Sequence, residues 1–117
     1  MKMHLSLNPI KFLKLEPILT ANEAKAAEKY TITEKKTPSF SLMQKAGKII
    51  AQSTINAAKK KQRKPKILIV CGPGNNAGDG LIAALHLRKK NFLTQIVFLN
   101  TPACLTGDAK KALQSLK

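Results

Sequence analysis

Acidic residues are scarce in this chain. Six Asp and Glu stand against 21 Lys and Arg in 117 residues, a formal charge of +15. A field of that sign favours anionic partners, whether nucleic acid, phosphorylated metabolites or an acidic membrane; the plainer reading is a solvated basic surface. Aromatics are also few, with no Trp, one Tyr and four Phe. That leaves little from which to build a platform for stacked bases, so nucleic acid is not an expected partner. Two cysteines, Cys71 and Cys104, are too few for a disulfide framework and fit a reducing compartment. No apolar run approaches the ~18 residues needed to span a bilayer, so no membrane association is expected. Between Met1 and Leu15 there are three lysines and no acid, and Asn8, Pro9 and Lys11 interrupt the apolar residues. A secretory core is therefore missing; a weak organelle-targeting segment stays open, with the cytoplasm as default.

What is present suffices for one small domain: apolar residues make up 44%, enough for a core. Thr20-Ala21-Asn22-Glu23 fits a capping box and predicts a helix from there to about Lys35. Pro38 disfavours helix in the residue before it, so Lys35-Lys36-Thr37 reads as a break. Ser41-x-x-Gln44 repeats the capping signal, and Leu42, Met43, Ala46, Ile49 and Ile50 then recur at helical spacing as an expected buried stripe. Lys59 to Lys66 is a basic connector, read either as a phosphate-backbone contact or as a solvated turn. Lys66 to Cys71 has the continuous β-branched pattern of a parallel strand covered on both faces. Leu81, Ile82, Leu85 and Leu87 predict a helix ending near Lys90-Asn91. Thr94 to Leu99 reads as a second strand, and Thr106-Gly107-Asp108 as the cap of a last helix, with Asp108 in its first turn. The order α-α-β-α-β-α implies a Rossmann-like, three-layer α/β fold with parallel strands and right-handed crossovers, its sheet incomplete in this chain.

The segment from Gly72 to Gly80 occupies the carboxyl end of the first strand, where open parallel sheets bind ligands. Gly72, Gly74, Gly78 and Gly80 allow positive φ and close backbone approach. Amides at the start of the next helix offer donors and a favourable dipole to an anion. Asn75 and Asn76 add amide donors and carbonyl oxygens suited to a hard cation, and Asp79 adds a carboxylate. The phosphate loop of NTPases fails here, because Asp79-Gly80-Leu81 replaces its Gly-Lys-Ser/Thr. Gly72-x-Gly74-x-x-Ala77 matches the dinucleotide fingerprint, but the confirming acid after the second strand is missing: Leu99 leads into Asn100-Thr101-Pro102. A hydride-transferring dehydrogenase is set aside on that ground. A purely structural turn would not call for two Asn and an Asp. His86, on the following helix, and His4 have no assigned role, and Cys71 is expected as a small buried residue.

Gly72-Pro73-Gly74-Asn75-Asn76-Ala77-Gly78-Asp79-Gly80-Leu81 resembles the G-x-G-N-N-G-G-D-G signature of the YjeF N-terminal family, the NAD(P)H-hydrate epimerases. The resemblance extends to Leu19-Thr20-Ala21 with Glu23, to Pro38-Ser39, Leu42-Met43 and Ala46-Gly47, and to Thr106-Gly107-Asp108-Ala109. It runs over residues 19–117, with 1–18 as an extension. It implies a cofactor-repair isomerase that interconverts the R and S epimers of hydrated NADH and NADPH for a dehydratase, fused or separate. It also implies substrate contacts at Asn75, Asn76, Ala77, Gly78 and Asp79, a potassium ion held by Asn76, and a homodimer.

Two departures qualify this. Ala77 stands where the family usually has Gly, which would matter if the position needs positive φ. The family's catalytic Asp, a second potassium ligand and a further substrate segment have no counterpart in the 117 residues. No catalytic residue is therefore assigned, and a truncated or partial form without turnover of its own is expected. The alternative is a non-enzymatic relative, a scaffold module of an RNA-processing protein; the charge is compatible with it, the intact Asn75–Asp79 loop argues against it.

Overall fold

The structure, a computed structural model, describes residues 18–117, and the chain divides between Lys35 and Lys36 into two compact units. The extension up to residue 17, with His4 and any targeting segment, lies outside the described residues.

The first unit carries helix α1, Ala21–Thr33. Its start is the expected capping box. The Glu23 amide donates to Thr20 Oγ1 at 3.3 Å and the Thr20 amide donates to Glu23 Oε2 at 2.7 Å, so two donors that a helix end leaves orphaned are satisfied. The Thr20 amide, and the Thr20 hydroxyl that donates to the same Oε2 at 2.8 Å, hold the Glu23 carboxyl below its ordinary range. No residue of α1 is buried, so local capping is what this helix stands on. Lys36 follows in the left-handed region at φ 50°, which turns the chain ahead of Pro38.

The second unit contains α2 (Ser39–Ala58), β1 (Ile67–Cys71), α3 (Asn76–Lys89), β2 (Thr94–Phe98), a short 3-10 turn at Pro102–Cys104, and α4 (Gly107–Gln114). β1 and β2 pair in parallel, Ile67 opposite Thr94 and Cys71 opposite Phe98. They form a two-stranded open sheet, the incomplete Rossmann-like α/β arrangement expected.

Helix α3 organises the unit. Ala77, Gly78, Leu81, Ile82, Ala83, Ala84 and Leu87 are all buried, because the sheet lies on one side of it and α2 and α4 on others. Leu81 and Leu87 are sealed from water, each contributing about 1.5–3 kcal/mol by burial. Its end is a Schellman motif: the Phe92 amide donates to the Leu87 carbonyl and the Asn91 amide to that of Arg88. Asn91, at φ 61°, is one of the few residue types that accept this conformation readily. Phe92 packs back against the cluster containing Leu87.

Three expectations need correction. The start of α2 is at Ser39 rather than Ser41, with Pro38 at the cap and no side-chain cap bond; the Pro38 carbonyl takes the Ser41 and Leu42 amides instead, so Ser41 lies within the first turn. The buried residues of α2 are Met43, Gly47, Ala51 and Ala58, while Ile49 and Ile50 are 66% and 43% exposed. α2 meets α3 through small residues, and a pattern of large apolar side chains does not register that. Finally, among the described residues β1 is covered on one face only. Ile67, Ile69, Ile96 and Phe98 pack on the helical clusters, whereas Leu68, Val70 and Val97 are exposed on the other.

Candidate functional site

Beyond Cys71 the chain leaves the sheet and turns into α3, and the loop between them encloses an open cavity of about 410 Å³. Val70, Gly72, Pro73, Gly74, Asn75, Asn76 and Ala77 line it. This is the carboxyl end of a parallel strand meeting a helix N-terminus, the place where backbone donors and a helix dipole converge.

The turn is tight. The Ala77 amide donates to the Gly74 carbonyl at 3.1 Å and the Gly78 amide to the Asn75 carbonyl at 2.8 Å. These two amides at the start of α3 are used by the turn itself. The amides of Gly74, Asn75 and Asn76 make no backbone bond among the described residues, so the available donors sit one step earlier. Asn75 and Asn76 are both exposed, with Asn75 at the cap position and its side chain not used as a cap.

The glycines of the loop divide by what surrounds them. None has positive φ; among the described glycines that conformation belongs to Gly107. Gly72 and Gly74 have nothing within 4 Å of an added Cβ, so they leave the cavity mouth clear. Gly78 is glycine for packing, since a Cβ there would run into Met43 Sδ and Cε and lie 3.2 Å from Ala109 Cα. At Gly80 the same atom would stand 3.1 Å from Ile69 Cγ2. Helical close approach, not left-handed backbone, explains this half of the loop. Ala77, in the first turn of α3 and 3% exposed, has ordinary backbone, so the methyl group meets no conformational penalty.

Of the five residues singled out in the sequence, Asn75, Asn76 and Ala77 line the cavity together. Gly78 is buried behind them and Asp79 is half-buried in the first turn, where its charge complements the helix dipole. Val70 and Pro73 join the lining without having been singled out; Val70 shows only as an unremarkable strand residue in the sequence. Burial pushes the Cys71 thiol up from its usual range, so it stays protonated and unreactive near neutral pH. His86 sits ten residues along α3 from Asn76, roughly 15 Å away at 1.5 Å per residue. No described helix is long and apolar enough to cross a membrane.

A contact between side chains also joins α2 to α4. The Ser39 hydroxyl donates to the Asp108 carboxylate, and Lys111 Nζ lies 3.2 Å from the same carboxylate. Ser39 opens α2 and Asp108 lies in the first turn of α4, so the two helix starts are joined. The bond from Ser39 is the largest influence and holds the Asp108 carboxyl below its ordinary range; burial opposes it, and Lys111 adds to the lowering. Thr106 stands at the N-cap of α4 as expected, but its side chain makes no cap bond; Gly107 follows at φ 53°.

A family model described as YjeF-related protein N-terminus matches residues 39–117. Among curated relatives, the bifunctional NAD(P)H-hydrate repair enzyme Nnr of Salinibacter ruber is 39% identical over 101 residues, covering 86% of this chain and 18% of that protein. An NAD(P)H-hydrate epimerase of Anopheles gambiae is 39% identical over 80 residues, 68% of this chain and 34% of that protein. One of Paramecium tetraurelia is 46% identical over 48 residues, 41% of this chain and 21% of that protein. The chain thus spans between about a fifth and a third of the length of these relatives. With the family model covering the whole second unit apart from its first three residues, the chain belongs to the YjeF-related N-terminus family.

Proposed function

We propose that this chain carries the substrate-holding loop of an NAD(P)H-hydrate epimerase, an isomerase interconverting the R and S epimers of hydrated NADH and NADPH. The observation that supports this reading is the cavity at the end of β1, walled by Gly72–Ala77, where the Gly74, Asn75 and Asn76 amides make no backbone bond among the described residues. Such a rim suits the pyrophosphate of a nicotinamide dinucleotide. In this reading Asn75, Asn76, Ala77, Gly78 and Asp79 form the substrate-binding segment, the last two acting largely by holding the first three in place.

Potassium fits the donor set. Asn76 lines the cavity and carries a neutral amide oxygen, the carbonyl type of ligand that replaces potassium's hydration shell. Asn76 would hold the ion, which when bound would supply a fixed positive charge to the site. Turnover also needs a proton-transferring residue, and none is assigned in this chain.

Several relatives are named as bifunctional repair enzymes, which supports a dehydratase partner, fused or separate. A cytoplasmic location accords with two free cysteines, and a homodimer completes the reading on resemblance alone. The test uses the full-length protein with Asn76→Leu. We expect kcat/KM for hydrated NADPH to fall by about tenfold or more, the scale of one lost charge-assisted contact, with potassium stimulation abolished. Unchanged kinetics and an unchanged potassium response would exclude Asn76 from the site. The 117-residue chain by itself is expected to give no turnover, and brisk epimerisation by it would overturn that part.

A further inference from the structure

At the amino end of the same strands lies a second cavity, of about 330 Å³, lined by Gln52, Ile55, Lys59, Lys64, Lys90 and Phe92. Lys64 precedes β1 and Phe92 precedes β2, so this cavity and the loop at Gly72–Ala77 are at opposite ends of the sheet. A strand of five residues separates them by roughly 16 Å.

The chemistry here is cationic and partly ordered. Lys64 Nζ rests 4.5 Å from the centre of the Phe92 ring and donates to the Lys90 carbonyl at 3.2 Å. Its ammonium is thus held in position by two contacts, whereas most surface lysines sample many rotamers. Lys59 and Lys90 are the C-cap residues of α2 and α3. None of the three meets an acidic side chain among the described residues.

The obvious objection is that two helix carboxyl ends converge on this cavity, and such ends attract cations on their own account. Magnitudes decide the matter. Each helix end carries about half a negative charge, so two bring about one, against three ammonium groups. A surplus of about two positive charges remains. A phosphate monoester carries about −1.5 to −2 at neutral pH, which matches. Ile55 and the edge of Phe92 offer apolar wall, and Gln52 an amide, for an organic part. One face of Phe92 is already taken by Lys64, so a continuous stack of nucleic-acid bases has no platform here.

We infer that the cavity framed by Lys59, Lys64 and Lys90 is a binding site for a phosphate monoester of a small organic molecule, separate from the dinucleotide loop.

The test is a titration of the full-length protein with AMP, with adenosine and with inorganic phosphate, followed by calorimetry. Saturable binding of AMP and weaker binding of phosphate are expected, with none of adenosine. Lys59→Gln and Lys90→Gln should each weaken AMP about tenfold, the scale of one lost charge-assisted contact. Lys64→Gln should do at least as much, and the other two variants keep the outcome readable if it unfolds the protein. Lys60→Gln, outside the cavity, and Asn76→Leu, in the loop, should leave AMP affinity unchanged. Absence of saturable AMP binding would overturn the inference. So would an equal loss with Lys60→Gln, which signals a diffuse field, a loss with Asn76→Leu, which assigns AMP to the loop, or tighter binding of single-stranded RNA spread over all these lysines.

Discussion

Gly47 and Gly78 are both buried glycines of helices beside the loop, yet their neighbours differ in how far they can yield. An added Cβ at Gly47 would lie 2.5 Å from Ile82 Cβ and 2.8 Å from the Asp79 carbonyl oxygen. A branched side chain and a backbone atom cannot step aside, so Gly47→Ala should cost about 1–3 kcal/mol by overpacking, outweighing about 1 kcal/mol gained in helix propensity. At Gly78 the obstacle is the Met43 thioether, which is flexible, and the cost should be smaller. Gly74→Ala, with open space around it, should stay within about 0.5 kcal/mol. Urea unfolding of the three variants checks the order, and equal stability of Gly47→Ala and wild type would contradict it. Ala77→Gly should lose about 0.5–1 kcal/mol, because the position is ordinary helix; a stabilised variant would mean that glycine is wanted there after all. These positions also show the limit of reading glycines in sequence. Their spacing marked the loop, but whether each serves backbone conformation or close packing depends on partners brought in by α2 and α4.

At the scale of elements, the joint between the starts of α2 and α4 makes a prediction about pH. Asp108 is held below the ordinary aspartate value of about 3.9 by the Ser39 hydroxyl and then by Lys111. A depressed carboxyl contributes stability above its unfolded value and loses it as pH falls through the lower folded value. Ser39→Ala should therefore lower Tm near neutral pH, and its difference from wild type should shrink towards zero in acid, below about pH 3.9. A gap that stays constant through that range would mean the bond has no role in stability. The helices themselves illustrate why some elements were legible and others misplaced. The α1 capping box and the Schellman end of α3 are written in short local motifs, Thr20 with Glu23 and Asn91 with Phe92. The buried face of α2 is not, because Gly47 and Ala51 pack against α3 by being small, while Ile49 and Ile50 look like core and are exposed. Likewise Ser39 has no local sign of its partner, which lies 69 residues away.

For the whole unit, the sequence order dictated the parallel α/β layering and put the loop at the right end of β1. The continuous apolar run Ile67–Cys71 implied two covered faces, but in this unit one face packs on helices and the other shows Leu68, Val70 and Val97. A run of residues states what a strand can bury, not what has been supplied to cover it. The loop was legible as a place, since the cavity lies where the sequence order puts it. Asn75 and Asn76 were identified from their type, whereas the available amides proved to be those of Gly74 to Asn76 because the tight turn uses the next two. That shift is the most specific claim about the site, and amide-resolved NMR tests it most directly. Titrating the ¹⁵N-labelled 117-residue chain with hydrated NADPH should move the Gly74, Asn75 and Asn76 amides first and most, with those of Ala77 and Gly78 following weakly. Shifts confined to the basic connector at Lys59–Lys66, or no saturable change at Gly74–Asn76, would contradict the assignment of this loop as the dinucleotide site.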